Sequence, residues 1–372
     1  MALSTCSSAG NILERQNGHL QILNRSDDCA EAWTHLEKKQ DMCLATHSFV
    51  QPKQSIMTQD HTPLLFAVGG AHMDRRGQSS VPFVPGASNP GIMREEPGGG
   101  VFNALRLAVQ RGVRAEMLSV RGGDRVGDVI SAAFEKAGIK DSSVVFMDRA
   151  TPSYTAILDD RGDVVAAIAD MALYEIVLPK QLRRRKVRDA IAAADAIFGD
   201  ANLPAEALQR LAGLAGYKPL FALAISPAKA VRLKSILGDL ACLFLNRREA
   251  LALTDLPAHA GLGELCQALR AAGLRNAVLS NGGEAALVYS DAGAFSLLPP
   301  PVSEIADVTG AGDALAGGTI AALMRGMPLH EAVREGMAAS MLTLATHSAS
   351  PLFTTKTFNT ALAHIPAAVP LL

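Results

Sequence analysis

From residue 64 onward, short apolar runs alternate with helical runs, and this alternation restricts the fold more than any other feature. Strand-like runs fall at 64–68, 115–120, 194–199, 219–225, 241–245 and 276–280. Helix-like runs fall at 101–111, 126–137, 205–215, 228–237, 247–253, 262–272 and 329–346. Parallel strands need long crossovers, usually helices, so the pattern predicts a largely parallel sheet covered on both faces. Of 372 residues 49% are hydrophobic, enough for one large core. No solenoid-period repeat is present.

Two segments break the alternation. Residues 75–97 are rich in Pro, Gly and Ser. Residues 153–169 read as a hairpin, Ser153 to Leu158 and Val164 to Ala169, turning at Asp160-Arg161-Gly162-Asp163. Residues 1–60 differ from the rest, being polar and weakly periodic. They read as an N-terminal extension, disordered or an over-long start, ahead of a folded domain over 61–372. Met57 directly precedes the first convincing strand, so residues 1–56 are expected to be dispensable.

Composition removes several function classes. The formal net charge of −1 gives no whole-chain reason for nucleic-acid binding. The basic run Arg183-Arg184-Arg185-Lys186 reads as a solvated helix face. Five cysteines without a Cys-x-x-Cys pair argue against a disulfide framework or a zinc site and suit a reducing cytoplasm. No apolar run is long enough to span a bilayer, and no secretory signal is visible. The expectation is a cytoplasmic protein without a membrane partner.

The stretch Asp307-Val308-Thr309-Gly310-Ala311-Gly312-Asp313 carries the chemistry. It is a Gly-rich turn into a helix of small residues. Unpaired N–H groups at a helix start form an anion site, and Gly310 and Gly312 allow a phosphate to approach the backbone. Asp313 would lie beside that site, able to take a proton from an attacking hydroxyl. A base next to an oxyanion cradle suits phosphoryl transfer to an alcohol. The plain alternative is a helix-capping Asp on an ordinary turn. No Gly-x₄-Gly-Lys-Ser/Thr sequence occurs, so a P-loop is excluded.

This heptad resembles the C-terminal signature of the ribokinase-like (PfkB) carbohydrate kinase family. The resemblance implies a three-layer α/β/α fold with a small β-strand lid formed near 75–97 and 153–170. It implies Asp313 as catalytic base, with the Gly310-Ala311-Gly312 amides on the transferring phosphoryl group. Gly69-Gly70-Ala71-His72-Met73-Asp74 and Pro97-Gly98-Gly99-Gly100-Val101-Phe102-Asn103 match the family's sugar side, where Asp74, Gly98, Gly99 and Asn103 would bind substrate. A carboxylate at Asp74 suits a vicinal diol.

On the nucleotide side, Asn246-Arg247-Arg248-Glu249 matches the family's Asn-x-x-Glu motif. Asn246 would lie near the phosphates of ATP. Glu249 would hold Mg²⁺ through water, a sparse arrangement that magnesium accepts. Ser280, Gly282 and Gly283 would flank the nucleotide, with Ala285 replacing the last glycine of the usual turn. Backbone carbonyls near Asp307 and Thr309 are implied as a K⁺ site.

Within the family, Ala87-Ser88-Asn89-Pro90-Gly91, Ala169-Asp170-Met171 and Asp200-Ala201-Asn202 resemble the pseudouridine kinase branch. Asn89 is then the candidate for a nucleobase contact, and Asp170 a candidate near the sugar. Val101 and Phe102 depart from the Gly and Arg of that branch. The implied partners are a small nucleoside or sugar and a second copy of the chain, joined through the lid. Another nucleoside, a free sugar, or a non-catalytic binding protein on this fold are the alternatives.

Overall fold

The computed structural model describes residues 61–372 apart from 303, 304 and 372, together with a hairpin near the N-terminus. The chain divides into two compact units, residues 1–61 and 62–372. The first contains an antiparallel hairpin, Ile12–Gln16 with His19–Leu23. Apart from His61, its other residues lie outside those described, and with them the expectation that 1–56 is dispensable.

The second unit is built on a ten-stranded sheet. Its order is Val369–Pro370, Gly293–Leu297, Glu284–Ser290, Ala277–Asn281, Cys242–Asn246, Leu220–Leu223, Ala196–Asp200, Leu64–Val68, Arg114–Leu118 and Lys140–Asp141. From Lys140–Asp141 to Ala277–Asn281 every pairing is parallel. Glu284–Ser290, Gly293–Leu297 and Val369–Pro370 extend it antiparallel. This extension was not foreseen from the sequence.

Strand Leu64–Val68 shows why the sheet is covered on both sides. Leu65 and Ala67 point into one apolar core, Phe66 and Val68 into another. Alternate residues face opposite sides of a strand, so a continuous apolar run needs two cores. The order also reverses here: Arg114–Leu118 lies on one side and Ala196–Asp200 on the other. Such a switch point opens a crevice at the carboxyl ends of the strands, the usual ligand position in these sheets.

Three helices close one side of that crevice. Gly100–Gln110, Ala311–Met324 and Leu329–Leu344 pack with almost no side-chain spacer. A Cβ on Gly317 would stand 2.2 Å from the Ala104 carbonyl oxygen. One on Gly336 would stand 2.2 Å from that of Leu315. The Ala-Gly-rich sequence of residues 311–324 is thus a requirement of close approach. The 228–237 run is instead one α-turn, Pro227–Ala230, followed by a 3₁₀ segment, Val231–Asp239.

A separate four-stranded sheet stands over the crevice, in the order Val164–Asp170, Ser153–Leu158, His72–Ser79, Gly91–Gly98. The Pro- and Gly-rich 75–97 segment is therefore mostly a long hairpin rather than a loop. Asp74 sits on its first strand, paired in register with Glu96.

Candidate active site

Gly310 begins the chemistry. It is the N-cap of the helix Ala311–Met324, with φ 80°. A Cβ there would stand 2.3 Å from the Ala349 carbonyl oxygen, so glycine is needed for space as well as conformation. The following turn leaves the Gly312 and Asp313 N–H groups without intrahelical acceptors. Space over Gly312 is open: a Cβ would meet nothing within 4 Å.

Asp313 is half-buried in the first turn of this helix. Its Oδ2 accepts a hydrogen bond from Asn103 Nδ2 at 2.9 Å. Asn103 is buried on Gly100–Gln110, and the close packing at Gly317 brings the two helices near enough for this bond. Burial pushes the Asp313 carboxyl up to about 7. The Asn103 bond and Arg106 oppose the rise; the charges of Asp74 and Asp200 add to it.

Asp74 reaches the same crevice from the lid. His72 Nε2 lies 3.2 Å from Asp74 Oδ1, and the other ring nitrogen lies 3.3 Å from the Tyr174 hydroxyl. Gly98 leaves room for the carboxylate, since a Cβ there would stand 2.0 Å from Asp74 Oδ2. Gly99, with φ 114°, caps the Asn103 helix and would strike the Gly70 carbonyl oxygen if it carried a Cβ. The lid entry is anchored by buried Asp200, whose Oδ2 accepts from Gly70 N at 3.3 Å and Asn202 Nδ2 at 2.9 Å.

Two polar links join the lid to the turn that leads into Gly310 and its neighbour Ala349. Arg76 pairs with Asp307, whose Oδ1 also accepts from Thr309 N at 2.8 Å. Glu96 accepts from Ser348 Oγ at 2.5 Å and from Ala349 N at 3.3 Å. Beneath the lid lies a cavity of about 620 Å³, whose wall includes Asp74, Arg76, Gln78, Arg94, Glu96 and Asp307. Arg76, Gln78 and Arg94 were missed in the sequence. The period-2 series Asp74-x-Arg76-x-Gln78 was the available signal, masked by the surrounding turn residues.

Asn89 is held within its own loop. Its Oδ1 accepts from Val84 N at 2.8 Å, and its Nδ2 donates to Val84 O at 2.9 Å and Ala87 O at 3.0 Å. The side chain is spent on its own loop and does not line the cavity. Asp170, exposed at the end of its strand opposite Ser153, also lies outside the cavity wall.

The nucleotide-side candidates cluster at neighbouring strand ends. Asn246 and Ser280 are register partners in adjacent parallel strands. Gly282, with φ 63°, and Gly283 form the exposed turn after Ser280. Asn246 and Glu249 form a capping box: Asn246 Oδ1 accepts from Glu249 N at 3.0 Å, and Glu249 Oε2 accepts from Asn246 N at 2.8 Å. Burial raises the Glu249 carboxyl, against that capping bond. Among the described residues no cluster of three or more His, Cys, Asp or Glu can hold a metal. These residues fit a magnesium shared with phosphates and water, not one caged by protein.

Ile225, between Leu220–Leu223 and the helical turn, adds a strained wall. Its φ is 71°, and Ser226 N donates to Ala224 O at 2.9 Å, closing a rare γ-turn. Ile225 and Leu223 abut Gly100, where a Cβ would also lie 3.3 Å from Asp313 Oδ1.

The crevice at the sheet switch point, with the Gly310 turn and the Asp313 carboxyl beside it, lies on a ribokinase-like fold. The pfkB family carbohydrate kinase pattern matches residues 63–356, and the chain belongs to that family. It is thus a carbohydrate or nucleoside kinase, transferring a phosphoryl group to a hydroxyl. A carbohydrate kinase from Agrobacterium tumefaciens is 43% identical with a TM-score of 0.74, over 83% of this chain and 100% of that one. Pseudouridine kinase of Escherichia coli K12 is 29% identical over 282 residues, 75% of this chain and 89% of the relative. Arabidopsis thaliana ribokinase, solved with ribose and ATP, shares the fold at TM-score 0.69 and 17% identity, over 81% of this chain and 99% of that one.

Proposed function

We propose that this chain is an ATP-dependent kinase of a ribonucleoside 5′-hydroxyl, with pseudouridine as the preferred acceptor. The observation that carries the reading is the convergence of Asp313, Asn103 and Asp74 beside the open turn at Gly312. A base that titrates near the working pH transfers protons efficiently, and Asp313 sits at about 7. Asp74, with Gly98 and Gly99, receives the ribose diol; Asn103 orients the base. The 5′-oxygen gives its proton to Asp313, bonds to the γ-phosphorus and displaces ADP. The amides of residues 310–313 hold the phosphoryl oxygens through the transfer. When bound, magnesium neutralises phosphate charge, and Glu249 would hold one of its waters.

The lid excludes water and limits wasteful ATP hydrolysis. With Asn89 spent on its loop, contacts to the nucleobase fall to Gln78 and Arg94 in the cavity wall. Likeness to pseudouridine kinase supports the choice of acceptor. The carbohydrate kinase likeness keeps a free sugar as the second reading. The outer lid strand Val164–Asp170 is fully exposed and carries Val164, Val165 and Ile168, which favours a homodimer through the lid.

The test is turnover with ATP, magnesium and potassium against pseudouridine, uridine, adenosine, inosine, ribose and fructose, with Asp313→Ala as control. Preference for pseudouridine, lost in the control, supports the full reading. Preference for another acceptor keeps the mechanism and discards the substrate. Binding without turnover rejects the kinase reading. Replacing potassium by choline tests the Asp307/Thr309 cation site: an unchanged rate discards it.

A further inference from the structure

Asn103 stands between two groups with opposite demands. Its Nδ2 donates to Asp313 Oδ2 at 2.9 Å, and its Oδ1 accepts from Arg106 Nη2 at 2.5 Å. A guanidinium has donors only, so it must face the amide oxygen. The amide NH₂ then has to face Asp313. An NH₂ stabilises a carboxylate and offers no acceptor to a protonated acid. Turned over, the same amide would present its oxygen to Asp313 and favour the acid form.

We propose that Arg106 is a positioning residue that locks the Asn103 amide so that Asp313 is held as a carboxylate, ready to take a proton. The inference rests on the reading of Asp313 as the base.

Arg106 is built for this task. It lies one helical turn beyond Asn103, on the same face of Gly100–Gln110. Nη2 also donates to the Pro97 carbonyl at 3.0 Å, and the guanidinium lies 4.9 Å from the centre of the Phe102 ring. Its Nε is buried without a hydrogen-bond partner among the described residues. An unsatisfied buried donor is a cost, so the guanidinium is not placed here for its own bonding. Burial weakens its hold on the proton, and the charges of Glu96, Asp313 and Asp74 offset part of that loss.

The charged groups around Asp313 come from several elements. Asp74 faces it from the lid strand, with His72 beside Asp74. Asp200 faces it from the end of Ala196–Asp200, and Arg106 from the Asn103 helix, with Glu96 facing Arg106. Asp74 and Asp200 push Asp313 toward its acid form; Arg106 opposes them.

The test is the pH profile of kcat/KM with pseudouridine, or whichever of uridine and ribose turns over faster. Wild type is compared with Arg106→Met, Arg106→Gln and Arg106→Lys, each checked for folding by thermal unfolding. Losing the cation, and in Met also every donor to the Asn103 oxygen, should move the acid limb up by roughly one pH unit in Met and Gln. Rates should then fall about tenfold below the limb and recover at high pH. Lysine, also a donor-only cation, should keep the limb near the wild-type position. Gln preserves length where Met fails to fold. A rate loss uniform across pH in the neutral variants, or an equal limb shift in Lys, overturns the role of Arg106 alone. A wild-type enzyme without an acid limb overturns the base reading and this inference with it.

Discussion

On the reading proposed above the crevice has an acceptor side and a nucleotide side, and the two are assembled in different ways. On the acceptor side several polar contacts span long distances in sequence. Asn103 meets Asp313, His72 meets Tyr174, and Arg76 meets Asp307. On the nucleotide side, Asn246 and Glu249 bond to each other within one helical turn. Gly282 and Gly283 are open to solvent. The first region is held together by contacts between distant elements, while the second rests on one local capping box and an exposed glycine turn. Preorganisation at the reacting atoms contributes most to transition-state stabilisation, so the two regions should fail differently when mutated.

The largest expected effect tests the acceptor side. Asp313→Asn should lower kcat by about 10²- to 10⁴-fold with an unchanged melting temperature. Near-normal turnover would reject Asp313 as base. In wild type the base must be deprotonated, so kcat/KM should fall as pH drops through about 7, the value to which burial raises Asp313. Next comes Asp74→Ala, which should raise the acceptor KM by about 10- to 100-fold, the scale of lost charge-assisted hydrogen bonds. An acceptor KM that does not move would place the diol elsewhere.

Gly317→Val tests whether the acceptor side depends on helix approach. The side chain would collide with the Ala104 carbonyl, costing about 1–3 kcal/mol in thermal unfolding and separating Asn103 from Asp313. A stable, fully active variant would show that the approach is not required. Glu249→Gln should then separate the two regions. It keeps the helix and raises the magnesium needed for half-maximal rate by several-fold, leaving acceptor KM alone; a shift in acceptor KM instead would dissolve the contrast. The smallest effect is expected of Asn89→Ala. It should cost about 1 kcal/mol of stability through its loop, with no change in KM. A change in nucleobase preference would return Asn89 to the site.

Much of this was legible because certain residues permit few alternatives. The apolar run Leu64–Val68 and the 205–215 helix emerge where their patterns put them. Gly98, Gly99 and Gly310 announce places where a Cβ has no room, and those are the walls of the crevice. The lid was half legible. Gly77, Gly91 and Pro97 are turn formers by local preference, yet pairing along His72–Ser79 and Gly91–Gly98 overrides it. The Arg106–Asn103–Asp313 chain was hidden because it depends on how closely two helices pack. Ile225 was hidden too, since a β-branched residue gives no local hint of a positive φ. Such a residue stores about 1–3 kcal/mol of strain, close to the reacting carboxyl.

The lid's attachments carry a thermodynamic obligation. Arg76 and Glu96 belong to strands that line the cavity, and they hold Asp307, Ser348 and Ala349, the last of which packs on Gly310. On the proposed reading, an acceptor that settles these strands also settles the turn assigned to the phosphates. Linkage is reciprocal: whatever factor the nucleoside contributes to ATP affinity, ATP must return to the nucleoside. Calorimetric titration of each ligand, alone and with the other saturating, should therefore give two equal ratios greater than one. Cutting the Arg76 tie with Arg76→Ala should draw both toward unity together.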